Sequence, residues 1–227
     1  MKYRRAFRLI ICALPLAMLA GCQYPAYISS RFDIAMTSRN ETHIVILKLP
    51  ADEFPLLARF NHVYEMRLEN DATDEKLRIL AQIRFPSLGC LTLPKCSAVT
   101  DKGIEYLLHL PSIESFGFSG KSITDRAIDT MIQMPNLKSF GVDENTGVTI
   151  SGLVKLVQMT TMEDLFIPAL MVTQEDLLRI IAASRHLNRI DIDEPAEGQF
   201  DAPALRRAAA AKKIDLYVYY NRMCEPL

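Results

Sequence analysis

The chain has no tryptophan among its 227 residues, only nine glycines and only four histidines. Without tryptophan, any stacking platform for a base or a sugar must be built from tyrosine or phenylalanine. His43, His62, His109 and His186 are scattered, with no i,i+4 pair, and no Cys-x-x-Cys accompanies them. The ligand set of a structural metal site is therefore missing. His62 and His186 fall at helix-to-strand junctions and read as structural residues. Gly-x-Ser-x-Gly and other nucleophile motifs are absent as well. Gly120-Lys121-Ser122 has the form of the end of a phosphate loop, but the earlier glycine of that loop belongs at position 115, which is Ser115. No acid–base or nucleophile constellation emerges. A protein without catalysis, cofactor or small-molecule substrate is expected.

Positive charge is not in excess either. The 26 basic side chains face 27 acidic ones. The first 21 residues hold Lys2, Arg4, Arg5 and Arg8 and no acid, so the rest carries 22 basic against 27 acidic groups. A mildly acidic body argues against nucleic acid, whose binding rests on neutralising phosphates. An apolar content of 49% is enough for a sizeable core.

The N-terminus reads as an address. A basic stretch is followed by an apolar run from Leu9 to Ala20, too short for a membrane span and interrupted by Pro15. It ends in Leu19-Ala20-Gly21-Cys22. This resembles the lipobox of bacterial lipoproteins. The resemblance implies a signal peptide over 1–21, cleavage before Cys22, and a mature chain carrying a diacylglyceryl thioether and an acylated amine there. Two or three acyl chains make a lasting membrane anchor, since each buried methylene contributes roughly 0.8 kcal/mol. Gln23 is not the aspartate that retains such proteins at the inner membrane of enterobacteria, which favours the outer membrane in a host that has one. Three cysteines are left, Cys90, Cys96 and Cys224, an odd number that keeps at least one thiol unpaired within the chain.

Residues 22–42 lack periodicity and read as the lipidated end and a tether. From residue 43 to 220 the chain repeats itself. An apolar-x-x-apolar-x-apolar strand, a turn, a Thr-Asp step, an amphipathic helix and a proline recur, beginning at residues 63, 88, 113, 137, 162 and 187. IVILKL (44–49) reads as a shortened first copy and IDLYVYY (214–220) as a closing one, with 221–227 as a tail. In each unit, alternation points Leu91 and Leu93, for example, to one side of the strand. The Thr100-Asp101 step begins a helix, with the hydroxyl capping free N–H groups and the acid suiting the positive helix end. Thr73-Asp74 and Thr124-Asp125 repeat it, Thr149-Ile150 lacks the acid, and Thr173 with Asp176 forms a capping-box variant. One unit cannot cover its own apolar side, so neighbours must stack.

The segment LGCLTLPKCSAVTDKGIEYLLHLP (88–111) resembles the cysteine-containing, F-box-type subfamily of leucine-rich repeats at Leu91, Leu93, Cys96, Val99, Thr100, Asp101, Gly103, Ile104 and Leu107. The resemblance implies an α/β solenoid, a right-handed curved horseshoe with about seven or eight parallel strands on the concave face and helices outside. Outward strand positions would then form one surface. Its middle is small and polar, with Ser115, Gly117, Ser119, Ser139 and Gly141. Its C-terminal half gathers Asp143, Asp164, Arg189, Asp191, Asp193 and Asp215 beside Phe166, Tyr217 and Tyr219, and its N-terminal end shows Ile46 and Lys48. Aromatic anchors within a charged rim suit a protein partner of basic character in the cell envelope. A glycan or peptidoglycan held by the same aromatics is the alternative. Calcium is disfavoured, because the acids come from different repeats.

Overall fold

In the computed structural model the described residues are 25–220 except 145, 194 and 197, together with the backbone of 223–226. The expected signal segment and Cys22 lie outside them. Ten strands cross one sheet in chain order: β1 (Ala26–Ile28), β2 (His43–Ile46), β3 (Glu65–Leu68), β4 (Cys90–Leu93), β5 (Ser115–Phe118), β6 (Ser139–Val142), β7 (Asp164–Pro168), β8 (Arg189–Asp193), β9 (Asp215–Tyr220) and β10 (Met223–Pro226). Neighbours from β1 to β9 are parallel, and β10 returns antiparallel to β9. The crossovers carry helices α1 (Arg31–Met36), α2 (Asp74–Leu80), α3 (Asp101–Glu105), α4 (Asp125–Met131), α5 (Ile150–Leu156), α6 (Gln174–Ala183) and α7 (Ala202–Lys212). A 3-10 helix, Ala51–Arg59, fills the crossover between β2 and β3.

Register explains the stacking. Leu91, Phe116, Phe140, Leu165, Ile190 and Leu216 are successive partners across the sheet, each meeting the same position of its neighbour, and all are buried. Phe118 bridges Phe116 and Phe140, with ring centroids 5.7 Å from each. The opposite wall of the core comes from the helices through Leu77, Ile104, Ile128, Leu153 and Leu177, all at 0% exposure.

Most of these helices run only five to seven residues, too short to persist alone. Packing and caps hold them. Thr73, Thr100, Thr124, Thr149 and Thr173 each stand at the N-cap, in extended conformation, accepting a backbone N–H of the first turn. The aspartate after the threonine has a further role that the helix-end reading missed: it reaches into the next repeat. Asp74 accepts the backbone N–H and hydroxyl of Thr100, Asp101 those of Thr124, and Asp125 those of Thr149, all at 2.6–2.8 Å. Where Ile150 replaces the acid the ladder stops, and Thr173 turns to its own Asp176 in a complete capping box. Glycine accompanies the ladder for a steric reason. A Cβ on Gly103 would lie 2.2 Å from Oδ1 of Asp74, and one on Gly152 2.2 Å from Oδ1 of Asp125. Ala127 at the corresponding step beside Asp101 shows that the backbone can adjust to one methyl.

Three expectations are corrected. The segment read as a tether is folded from Ala26: β1 pairs with β2, and Ile34 of α1 is buried. Ser30 caps α1, with Asp33 bonded back to Ser29 and Ser30, a local signal that carries no 25-residue periodicity. The tail read at 221–227 supplies β10 instead, so the sheet has nine parallel strands and a tenth antiparallel one. In the first copy the outward strand residues are His43 and Val45, not Ile46, while Lys48 is exposed but lies past the end of β2. Ile46 pairs with Leu68 in the core. The run His43-Ile44-Val45-Ile46 does not alternate, and a one-residue shift of register exchanges the faces.

Candidate functional site

The outward face of the sheet carries two parallel rows. One runs His43, Glu65, Cys90, Ser115, Ser139, Asp164, Arg189, Asp215, and the other Val45, Arg67, Thr92, Gly117, Gly141, Phe166, Asp191, Tyr217. Of the predicted surface residues, Ser115, Ser139, Asp164, Phe166, Arg189, Asp191, Asp215 and Tyr217 share these rows. Asp193 and Tyr219 pair with each other two residues further along β8 and β9, and Ser119 and Asp143 follow the ends of β5 and β6. The serine and glycine floor lies across β5 and β6, with Ser115 and Ser139 half-buried and Ser119 buried.

The C-terminal third is organised around one arginine. Arg189 sits between Asp164 and Asp215 in the register, and its Nε donates to Oδ1 of Asp191 at 2.7 Å. Its terminal nitrogen donates to the Tyr219 hydroxyl, which donates in turn to Oδ2 of Asp191 at 3.3 Å. The guanidinium carbon also stands 4.6 Å from the ring centre of Tyr217. Burial opposes the charge on Arg189, but the bond and charge of Asp191, helped by Tyr219, outweigh it and hold the guanidinium above its usual pKa. Burial pushes Asp191 up, against the attraction of Arg189. Burial also raises Asp164, to about 6; Arg189 pulls it down while Glu163 and Asp191 push it up.

This changes the roles of several predicted residues. Asp191 is only 3% exposed and belongs to the arginine, and Tyr219 and Phe166 are buried. They form the base of the site rather than its contact surface. Asp215 is exposed, while Asp143, Asp164, Arg189, Asp193 and Tyr217 are half-buried. The arginine's tie to Tyr219 spans 30 residues and was not visible in the sequence, where only the pairing of strands brings them together.

At the other end, Glu65 is buried beside His43, whose Nε2 lies 3.7 Å from its carboxylate, and burial raises its pKa against the pull of His43 and Arg67. The Thr42 hydroxyl holds Nδ1 of His43 at 2.8 Å. The histidines at the helix-to-strand junctions, His62 and His186, are exposed rather than built into the structure. Among the described residues no group of three or more His, Cys, Asp or Glu comes together that could hold a metal ion. The glycine of the phosphate-loop look-alike has a packing role: a Cβ on Gly120 would lie 2.8 Å from the carbonyl oxygen of Cys96.

No family model and no curated protein sequence matches the chain. Among solved structures it is similar to the leucine-rich repeat protein Rad7 in the crystal structure of the Rad7 and Elc1 complex in yeast, with a TM-score of 0.50 at 14% identity. The fold is a leucine-rich repeat solenoid. The match covers 78% of this chain and 48% of the Rad7 chain, so the solenoid spans about half the length of that protein. At this identity the likeness speaks for architecture, and the solenoid's own outward rows must indicate what it binds.

Proposed function

We propose that this chain is a lipid-anchored bacterial protein whose leucine-rich repeats bind a basic segment of another protein in the cell envelope. One observation carries the binding reading. Strands β7 to β9 place Asp164, Asp191 and Asp215 around the one cation these strands hold, Arg189, with Asp193 further along β8. Arg189 is fixed by Asp191, Tyr217 and Tyr219, so the surface is preorganised and little side-chain entropy is lost on docking. The aromatics favour a protein over a glycan: Phe166 and Tyr219 are buried, and Tyr217 already faces a guanidinium. The anchor rests on the basic N-terminus, the short apolar run and Leu19-Ala20-Gly21-Cys22.

Crosslinking in intact cells followed by mass spectrometry tests the reading, comparing the natural chain with the double variant Asp164→Lys/Asp215→Lys. These two carboxylates are chosen because Asp191 supports the arginine and its loss would disturb the base of the site. The variant is expected to remain folded and to lose a protein crosslink. An unchanged set of crosslinks, or binding only to a glycan array, overturns it.

A further inference from the structure

The first helix turns its apolar side outward. In α1, Ile34 enters the core, while Phe32 and Met36, four residues apart and on the opposite side, are 70% and 71% exposed. Leu56 is exposed on the 3-10 helix that packs beside α1, while Tyr27, 59% exposed on the edge strand β1, continues the outward row of Val45 on the other face of the sheet. Arg31 ties the two helices through Glu53 at 3.4 Å, and Arg59 reaches the carbonyl of Thr37 at 3.3 Å, so this end is held as a unit. Exposed large apolar side chains grouped at one end of a domain mark a surface meant to be covered.

The place of this surface in the chain says what covers it. Only three residues separate Cys22 from Ala26, the first residue of the sheet. Fully extended, that link spans on the order of 14 Å. A chain lipidated at Cys22 therefore cannot hold the solenoid away from the bilayer, as a tether through residue 42 would. We propose that the N-terminal end of the solenoid, through Phe32 and Met36 of α1 with Leu56 of the neighbouring 3-10 helix, lies in the membrane interface. The repeats then stack away from the bilayer and carry the Arg189 surface outward. Exposed phenylalanine and methionine on one helix suit the boundary between headgroups and acyl chains. This inference rests on lipidation of Cys22.

The absence of tryptophan supplies the test. The full chain with Phe32→Trp, and separately with Leu170→Trp as a control at a 79% exposed site just after β7, far from the N-terminal end, is processed in a bacterial host. Mass spectrometry of the N-terminal peptide establishes the lipid. The protein is then reconstituted into vesicles of phosphatidylethanolamine and phosphatidylglycerol, with and without brominated acyl chains. The Phe32→Trp emission should shift to the blue and lose half or more of its intensity to bromine, while the Leu170→Trp emission stays unchanged. A lipidated chain whose Phe32→Trp emission ignores the brominated lipid overturns membrane docking alone. A blue shift that depends on protein concentration but resists bromine assigns the patch to a second copy and also overturns it. A chain without lipid at Cys22 removes the anchor and this proposal together.

Discussion

Thr124 gives both its backbone N–H and its hydroxyl hydrogen to the carboxylate of Asp101 in the preceding repeat, at 2.7 and 2.8 Å. One acid thus satisfies the cap of a neighbour's helix, and the same contact fixes the spacing of two repeats. Charge-assisted bonds of this kind contribute about 1.5–3 kcal/mol. Asp101→Ala should lower the unfolding free energy by that amount in urea titrations. A double-mutant cycle with Thr124→Val should give a coupling above roughly 0.5 kcal/mol. The exposed pair Arg126–Glu105, at 3.4 Å across the same boundary, is the control, and Arg126→Ala should cost less than about 0.5 kcal/mol. Equal losses from both variants would mean that the ladder is no stronger than a surface ion pair.

Phe140 is fully buried, 5.7 Å from the ring of Phe118 and in register with both Phe116 and Leu165. Phe140→Ala should cost about 3–5 kcal/mol, most of it from the cavity left in the middle of the stack. In a solenoid each unit leans only on its neighbours. The variant should therefore unfold in a broader urea transition with a reduced slope, as the two ends lose their coupling. A steep transition of natural slope, merely shifted in midpoint, would show that the stack stays cooperative despite the gap.

Periodicity revealed what periodicity controls. Leu91, Phe116, Phe140, Leu165 and Ile190 are in register because a spacing of 24 or 25 residues puts the same apolar position on every strand. The ends were less legible because they depart from the repeat. The α1 segment is stabilised by Ser30 and Asp33 rather than by a copy of the motif, and β10 is held by backbone pairing with β9. The aspartate ladder was half visible: Thr-Asp was recognisable as a cap, but a bond across 23 residues depends on how neighbours stack. At the site, the outward positions followed from alternation, whereas their engagement did not. Nothing local distinguishes Asp191, which serves Arg189, from Asp215, which is exposed.

Cys90 and Cys96 are both free and buried, and burial pushes each thiol up to about 12. Cys96 is further occupied: its backbone N–H and its Sγ both donate to the carbonyl of Ser119, at 2.7 and 3.3 Å. A thiol this far from its anion is a poor nucleophile at neutral pH. In the native protein at pH 7.5, maleimide labelling mapped by peptide mass spectrometry should leave both residues unmodified until urea exposes them. Rapid native labelling at Cys96 would show that the turn between β4 and α3 opens.

Asp164 should make the protein's stability and its binding depend on pH in opposite senses. Its folded-state pKa is raised from 3.8 to about 6, by burial first and then by Glu163 and Asp191, against the pull of Arg189. Between those two values the folded state holds the proton more tightly than the unfolded chain does. Stability from this group is therefore present below about pH 4 and is lost as pH rises through 6. Asp164→Asn removes the cost of the buried charge, so the variant should match the natural protein at pH 4 and exceed it at pH 8. Solvent reaches the half-buried side chain and screens its neighbours, so the gain should be only about 1 kcal/mol. A basic partner acts in the other direction, because its cation favours the ionised carboxylate. Affinity should rise as pH goes from 5 to 7, with uptake of the partner accompanied by proton release, and calorimetry in buffers of different ionisation enthalpy measures that proton. Binding that is unchanged across this range while Asp164→Asn still stabilises the fold would place the partner away from Asp164.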